Sequence, residues 1–270
     1  MTTNTPGQIL TNDQFEALTT LAVDAGKVIM EIYADTIDVT LKDDRSPVTK
    51  ADTAAEKVIL RGLKTIAPDI PAIAEEAAAA GQIPDVAERF FLVDPLDGTR
   101  EFISRNGEFT VNIGLIEHGN PVAGVVYAPA RKQFYRGMHG CGAEMAELSV
   151  DDIVTTAQWK PISTINMPDG ERVAVASRSH GDAETDAFLK DNGVIRTIQA
   201  GSSLKFCLIA AGLAQIYPRM GRTMEWDTAA GHAVLAAAGG SVVTKGGDPL
   251  TYGKTDRGYD NPHFIARAWS

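Results

Sequence analysis

Cysteine is nearly missing from these 270 residues: only Cys141 and Cys207 are present, and neither stands in a CxxC pair. A disulfide framework is therefore excluded, and a reducing cytoplasm is the expected compartment. Cys207 falls in the apolar run 204–211 and reads as a small buried thiol, while Cys141, between two glycines, reads as a turn residue. Long hydrophobic runs are also lacking; none approaches the ~20 residues that a membrane helix needs. The opening MTTNTPGQIL has no basic segment followed by an apolar stretch, so no signal peptide is expected. Peripheral contact with the inner membrane stays open. Positive charge is in deficit, with 25 Lys+Arg against 35 Asp+Glu and a net charge of −10. Such a surface repels polymeric phosphate, so a nucleic-acid polymer is not an expected partner. A small phosphorylated ligand is not excluded, because clustered acids can hold divalent cations that reverse the local field.

What is present is an ordinary globular mixture, 44% hydrophobic and 22% charged. That balance excludes a disordered chain, a coiled coil and a collagen-like chain. Residues 13–34 carry Phe15, Leu18, Leu21, Val28, Ile29 and Ile32 at helical spacing, with Asn12 as the candidate cap. A polar loop closed by Pro47 leads to Thr49, three residues before Asp52, an N-cap pattern with an acid in the first turn. The helix that follows is apolar at Ala55, Val58, Ile59, Leu63 and Ile66. Strands are expected at 90–94 and in a hairpin over 109–127. Beyond the glycine-rich stretch 137–142 and the polar segment 147–170 the pattern becomes strand and helix in alternation. Strands are expected at 173–176, 214–217 and 241–244, and helices near 182–191, 203–211 and 228–238. The fold class is thus an α+β part over 1–155 joined to an α/β part over 156–270.

The sharpest feature is Asp94-Pro95-Leu96-Asp97-Gly98-Thr99 directly after the strand FFLV. It sets two carboxylates close together in a tight turn, where unpaired acids repel and are costly to desolvate. A hard cation removes that penalty, and Mg²⁺ prefers oxygen ligands from one or two carboxylates plus waters and phosphate. Gly98 and Thr99 can offer backbone N–H groups to an anion if a helix begins there. Against this stands an ordinary surface turn, since Asp, Pro and Gly are common turn residues. The spacing disfavours an aspartyl-phosphate mechanism of the haloacid-dehalogenase kind, which uses acids two apart rather than three. Two further acidic places stand out. Glu75-Glu76 follows the apolar stretch 70–74, and Asp227 opens the helix-like WDTAAG. Each alone reads more simply as a solvated helix start or an N-cap. Three acidic clusters, each at the end of an element, fit a multi-metal phosphatase better than coincidence.

DPLDGT (94–99) and WDTAAG (226–231), with the Glu pair before them, resemble the two signatures of the inositol monophosphatase superfamily. The chain is most similar to its 3′(2′),5′-bisphosphate nucleotidase branch, the CysQ type. That likeness rests on SPVTKAD (46–52), residues 92–129, SRSH (177–180), residues 201–219 and WDTAAGHAV (226–234), in order over nearly the whole chain. The resemblance implies the layered αβαβα sugar-phosphatase fold. It implies metal ligation by Glu75, Asp94, Asp97, Asp227 and the carbonyl of Leu96, holding two or three Mg²⁺ ions. It further implies that Asp52 and Thr99 position the attacking water. Ser177, His180, Gly201 and Lys205 match positions that contact the nucleotide, with Glu75, Leu96, Asp97, Gly98, Thr99 and Asp227 also lining the substrate site. Without it, His180 would read as a loop histidine and Lys205 as a solvated helix residue.

The implied activity is hydrolysis of 3′-phosphoadenosine 5′-phosphate (PAP) to AMP and phosphate, in sulfur metabolism, by metal-activated water without a phosphoenzyme. PAPS as a second substrate is left open, and the sequence does not fix an oligomeric state. An inositol or sugar monophosphatase on the same scaffold remains a second reading. A non-catalytic metal- or phosphate-binding protein is a third, though it would be expected to lose Thr99, Asp52 or a ligand acid.

Overall fold

Helix α1 (Asn12–Tyr33) opens at Thr11, not at the expected cap Asn12. The Thr11 hydroxyl accepts from the Gln14 amide, and the Gln14 side chain accepts from Thr11 N–H. This reciprocal capping box needs a side-chain acceptor three residues after the cap, most often Glu or Gln, and Gln14 stands at that distance from Thr11. The computed structural model describes residues 9–35, 39–41, 47–168, 170–177 and 183–269. The paired strands β1 (Val39–Leu41) and β2 (Pro47–Thr49) lead into α2 (Lys50–Ile66), which is capped by the same device from Thr49 and Asp52. Among the described residues, no helix is long and apolar enough to cross a membrane.

The first sheet has seven strands: β3 (Ala72–Ala74), β4 (Arg89–Asp97), β5 (Thr110–Glu117), β6 (Asn120–Ala128), β7 (Gln133–Met138), β8 (Gly142–Glu147) and β9 (Lys160–Ile162). They lie side by side in chain order, parallel between β3 and β4 and antiparallel elsewhere. Two short helices, α3 (Glu75–Ala79) and α4 (Thr99–Ile103), leave the ends of β3 and β4. The expected hairpin is β5–β6. The strand expected at 90–94 runs on to Asp97, with an irregularity in its pairing between Asp94 and Asp97. Alternation along β4 sends Phe91 and Val93 into the core under α1 and α2, and Phe90 and Leu92 into the core on the opposite face.

The second sheet is β10 (Arg172–Ser177), β11 (Val194–Ala200), β12 (Ile216–Arg219), β13 (Ser241–Thr244) and β14 (Phe264–Arg267), in the order β11-β10-β12-β14-β13. Between the sheets lie α6 (Leu204–Ala210) and α7 (Glu225–Ala237). Their side chains share one core with Phe90, Leu92 and Tyr135 of the first sheet and Val175, Tyr217 and Phe264 of the second. Helix α5 (Ala183–Asp191) covers the outer face of the second sheet through Phe188 and Leu189, beside Ala174 and Ile216. The layers therefore run α, β, α, β, α, the order expected above.

Strand β9 pairs with β8 beyond residue 155, so the first sheet extends to Ile162. Helix α7, from the later part of the chain, packs on β4 to β7. It can do so because Gly114, Gly124 and Gly137 stand side by side on β5, β6 and β7. A Cβ at these places would come within 2.8 Å of Ala230 N, 2.5 Å of Ala230 O and 2.9 Å of Ala237 Cβ, respectively. Side chains there would lift the helix off the sheet.

Candidate active site

The register of β3 on β4 sets Ala74 opposite Val93, so Glu75 and Asp94 leave neighbouring strands at the same level. Asp94 is buried, and its Oδ1 accepts from Leu96 N–H at 3.0 Å. Helix α7 begins three residues earlier than its apolar pattern indicates, at Glu225. This places Asp227 in the first turn, where its Oδ2 accepts from Met224 N–H at 2.8 Å. Carboxylate oxygens of Glu75, Asp94 and Asp227 all lie within 4.8 Å of one another. Asp97 joins them through the Ser203 hydroxyl, which is 3.2 Å from Asp97 Oδ2 and 2.7 Å from the Asp227 carbonyl.

Burial pushes Asp94 and Asp227 well above the usual carboxylate range, and neighbouring carboxylates add to it: Glu75 and Asp97 for both, with Asp227 and Asp52 also acting on Asp94. Asp97 rises to about 6 through burial, opposed chiefly by the Lys205 ammonium. Desolvated acids that destabilise one another call for a cation. An all-oxygen donor set suits a hard one such as Mg²⁺. Two buried oxygens on β5, Asn112 Oδ1 and Thr110 Oγ1, find no hydrogen-bond partner and stand on residues paired with Asp94 and Asp97. The donors and the orphaned atoms fit a site built for cations and ordered water.

Gly98 takes a left-handed conformation (φ 92°) at the start of α4, and a Cβ there would lie 2.3 Å from Ser202 Oγ. That turn brings Thr99 to Asp52, its hydroxyl donating to Asp52 Oδ1 at 3.1 Å. The same hydroxyl is 3.5 Å from the Leu96 carbonyl. The other carboxylate oxygen of Asp52 accepts from Thr49 N–H at 2.8 Å and from the Thr49 hydroxyl at 2.7 Å. Asp52 is therefore both the capping acid of α2 and the partner of Thr99, two roles that compete when read from sequence. Burial raises its pKa, Thr49 pulls it down, and Glu75 adds to the rise.

Glu75, Asp97, Gly98, Thr99 and Asp227 line a cleft of about 360 Å³, whose lining also includes Gly201, Lys205, Arg219 and Arg222. Lys205 is buried, not solvated: its Nζ donates to the Ser202 carbonyl at 2.6 Å. Desolvation lowers it to about 8, with Asp97 acting in the opposite direction. Gly201 donates its N–H to Glu108 Oε2 at 2.8 Å, and a Cβ on it would lie 2.8 Å from the Glu108 carbonyl. Ser177 ends β10, and the expected contact His180 lies outside the described residues. Arg219 ends the matched stretch 201–219 and Arg222 lies just beyond it, and neither is among the substrate contacts expected from sequence. Arg222 pairs with Asp260 at 2.8 Å, whereas the buried Arg219 Nε has no hydrogen-bond partner. Two arginines three apart in YPRMGR carry no local signal; only the end of β12 at the cleft gives them one.

A family model described as the inositol monophosphatase family matches residues 12–268. The 3′(2′),5′-bisphosphate nucleotidase CysQ of Shigella flexneri is 48% identical over 246 residues, 90% of this chain and 95% of that one. The crystal structure of CysQ from Bacteroides thetaiotaomicron superposes with a TM-score of 0.80 at 37% identity, covering 97% of this chain and 100% of the other. An inositol monophosphatase from Anabaena gives a TM-score of 0.74 at 25% identity, covering 96% and 93%. With a match over nearly its full length and relatives at such identity, the chain belongs to the inositol monophosphatase family.

Proposed function

We propose that this chain is a 3′(2′),5′-bisphosphate nucleotidase that hydrolyses PAP to AMP and phosphate. The observation that carries the reading is the Thr99–Asp52 contact beside three converging carboxylates. Glu75, Asp94, Asp97, Asp227 and the Leu96 carbonyl would hold two or three Mg²⁺ ions, which supply charge neutralisation and water activation at a phosphate ester. The chain's own part is proton handling and orientation. The Thr99 oxygen accepts the proton of the attacking water while its own proton passes to Asp52, whose raised pKa suits it as acceptor. The water oxygen forms a bond to phosphorus, the bond from phosphorus to the 3′ oxygen breaks, and that oxygen takes a proton from solvent water to become the hydroxyl of AMP. Ser203 keeps Asp97 and the first turn of α7 in register while this happens.

The cationic wall supports the nucleotide over a small monophosphate. PAP carries a second phosphate that the acids of the cleft repel, and the cations Lys205 and Arg219 line the same cleft. Phosphate release from PAP, inositol 1-phosphate and fructose 1,6-bisphosphate, each with Mg²⁺ and with EDTA, tests the reading. PAP should be the preferred substrate. Preference for inositol 1-phosphate would make the chain a monophosphatase on the same scaffold, and no turnover of any would favour a binding protein. PAPS belongs in the same panel.

A further inference from the structure

Helix α3 is only five residues long, and its N-cap, Ala74, has no side chain that could accept a hydrogen bond. A helix so short has little stability of its own, and its first N–H groups need an outside acceptor. That acceptor comes from α2. Glu56 is 6% exposed, and its carboxylate accepts from Glu76 N–H at 2.7 Å and from Ala77 N–H at 2.9 Å. Glu56 follows Asp52 by four residues, so the two acids share a face of α2. One oxygen pair thus reaches Thr99 through Asp52, and the other grips the turn on which Glu75 stands. Glu56 is not among the residues lining the cleft.

We propose that Glu56 is a positioning residue for cation binding, fixing α3 so that the Glu75 carboxylate meets those of Asp94 and Asp227. Strand β3 delivers Glu75 to the level of Asp94, but β3 is three residues long and ends at Ala74. The direction the chain takes next is set by the two hydrogen bonds to Glu56. Losing them leaves two N–H groups without their acceptor and frees Glu75 to swing. The proposal rests on the cation-site reading of Glu75, Asp94 and Asp227.

The test is direct Mn²⁺ binding to the full-length, substrate-free protein, read from the electron paramagnetic resonance signal of free Mn²⁺. Glu56→Ala should weaken binding by about 10–100-fold, the usual loss when the partner of a metal ligand is removed. Glu56→Gln keeps one acceptor oxygen and should fall between Ala and wild type. In a Glu75→Gln background, Glu56→Gln should weaken binding no further, because its effect travels through Glu75. At saturating Mg²⁺ the Gln variant should recover kcat with an unchanged KM for PAP. Unchanged Mn²⁺ affinity in Glu56→Gln, or an additive loss in the double variant, would overturn the proposal. A Gln variant that no longer folds would also overturn it, making Glu56 a residue of the fold alone. A wild-type protein that binds no Mn²⁺ would instead remove the cation-site reading underneath.

Discussion

The Thr99 hydroxyl donates to one oxygen of Asp52 while Thr49 occupies the other with its amide and its hydroxyl. The carboxylate is thereby locked in rotation, and its free lone pairs are few. The proton relay proposed above needs such a fixed acceptor, since a carboxylate free to turn would not stay aimed at the Thr99 hydroxyl.

Replacing Thr99 by Ala should lower kcat by about 10²–10⁴ with little change in KM for PAP, because the lost group acts on the proton in the transition state. Steady-state kinetics at saturating Mg²⁺ read this directly. A raised KM with kcat preserved would make Thr99 a phosphate-binding hydroxyl.

Activity should vanish in EDTA and return with Mg²⁺, and Mg²⁺ should raise the melting temperature, since a ligand of the folded state alone stabilises it. Full activity after exhaustive chelation would end the cation reading.

Without metal, the folded chain should lose stability as pH rises. Asp97 holds its proton to about 6 when folded, and burial beside other carboxylates also raises Asp94 and Asp227 well above their unfolded values. The folded state therefore binds more protons over this range, so unfolding free energy falls from about pH 4 upward through the folded pKa values. Thermal melts in EDTA from pH 5 to 8 should show the decline. Asp94→Asn should flatten the slope and raise the metal-free melting temperature near neutral pH, while abolishing most activity. A marked fall in its metal-free stability would make Asp94 structural.

Arg219→Ala should reduce kcat/KM for PAP by about 10–150-fold, the worth of one charged hydrogen bond of roughly 1.5–3 kcal/mol. The rate on inositol 1-phosphate should change far less. Equal losses on both substrates would assign Arg219 to the scaffold.

Lys205 supplies a pH signature of its own. With its ammonium lowered to about 8, the cationic wall of the free enzyme weakens above that pH. The value of kcat/KM for PAP should fall as pH passes about 8. A profile flat to pH 10 would remove Lys205 from substrate binding.

Sequence made the layers and the acids legible to different degrees. Helices α1 and α2 and the β5–β6 hairpin follow from apolar spacing and turn residues, and the strand before Asp94 is plain. Asp94 and Asp97 stand out because two acids end an apolar strand. Asp52 and Asp227 do not, since a capping acid and a metal- or proton-handling acid look alike in one dimension; family likeness, not spacing, marks them. The start of α7 was hidden because Glu225 and Asp227 interrupt its apolar pattern, yet Glu225 is fully buried, accepting from Gly253 N–H and Lys254 N–H. The role of Arg219, at the end of a matched stretch, is hidden for the opposite reason. Its meaning comes from the cleft that two distant sheets form around it.

The glycine row under α7 has a bearing on when the protein becomes competent during synthesis. Three of the clustered acids are contributed by residues 75, 94 and 227, and the last reaches the others only when α7 beds down on Gly114, Gly124 and Gly137. On the ribosome the strands of the first sheet, which end at Ile162, are made before that helix. Until it follows, Glu75 and Asp94 lack the carboxylate of Asp227. The acidic cluster is thus completed late in synthesis, and a prematurely terminated chain carries most of the signature residues without it.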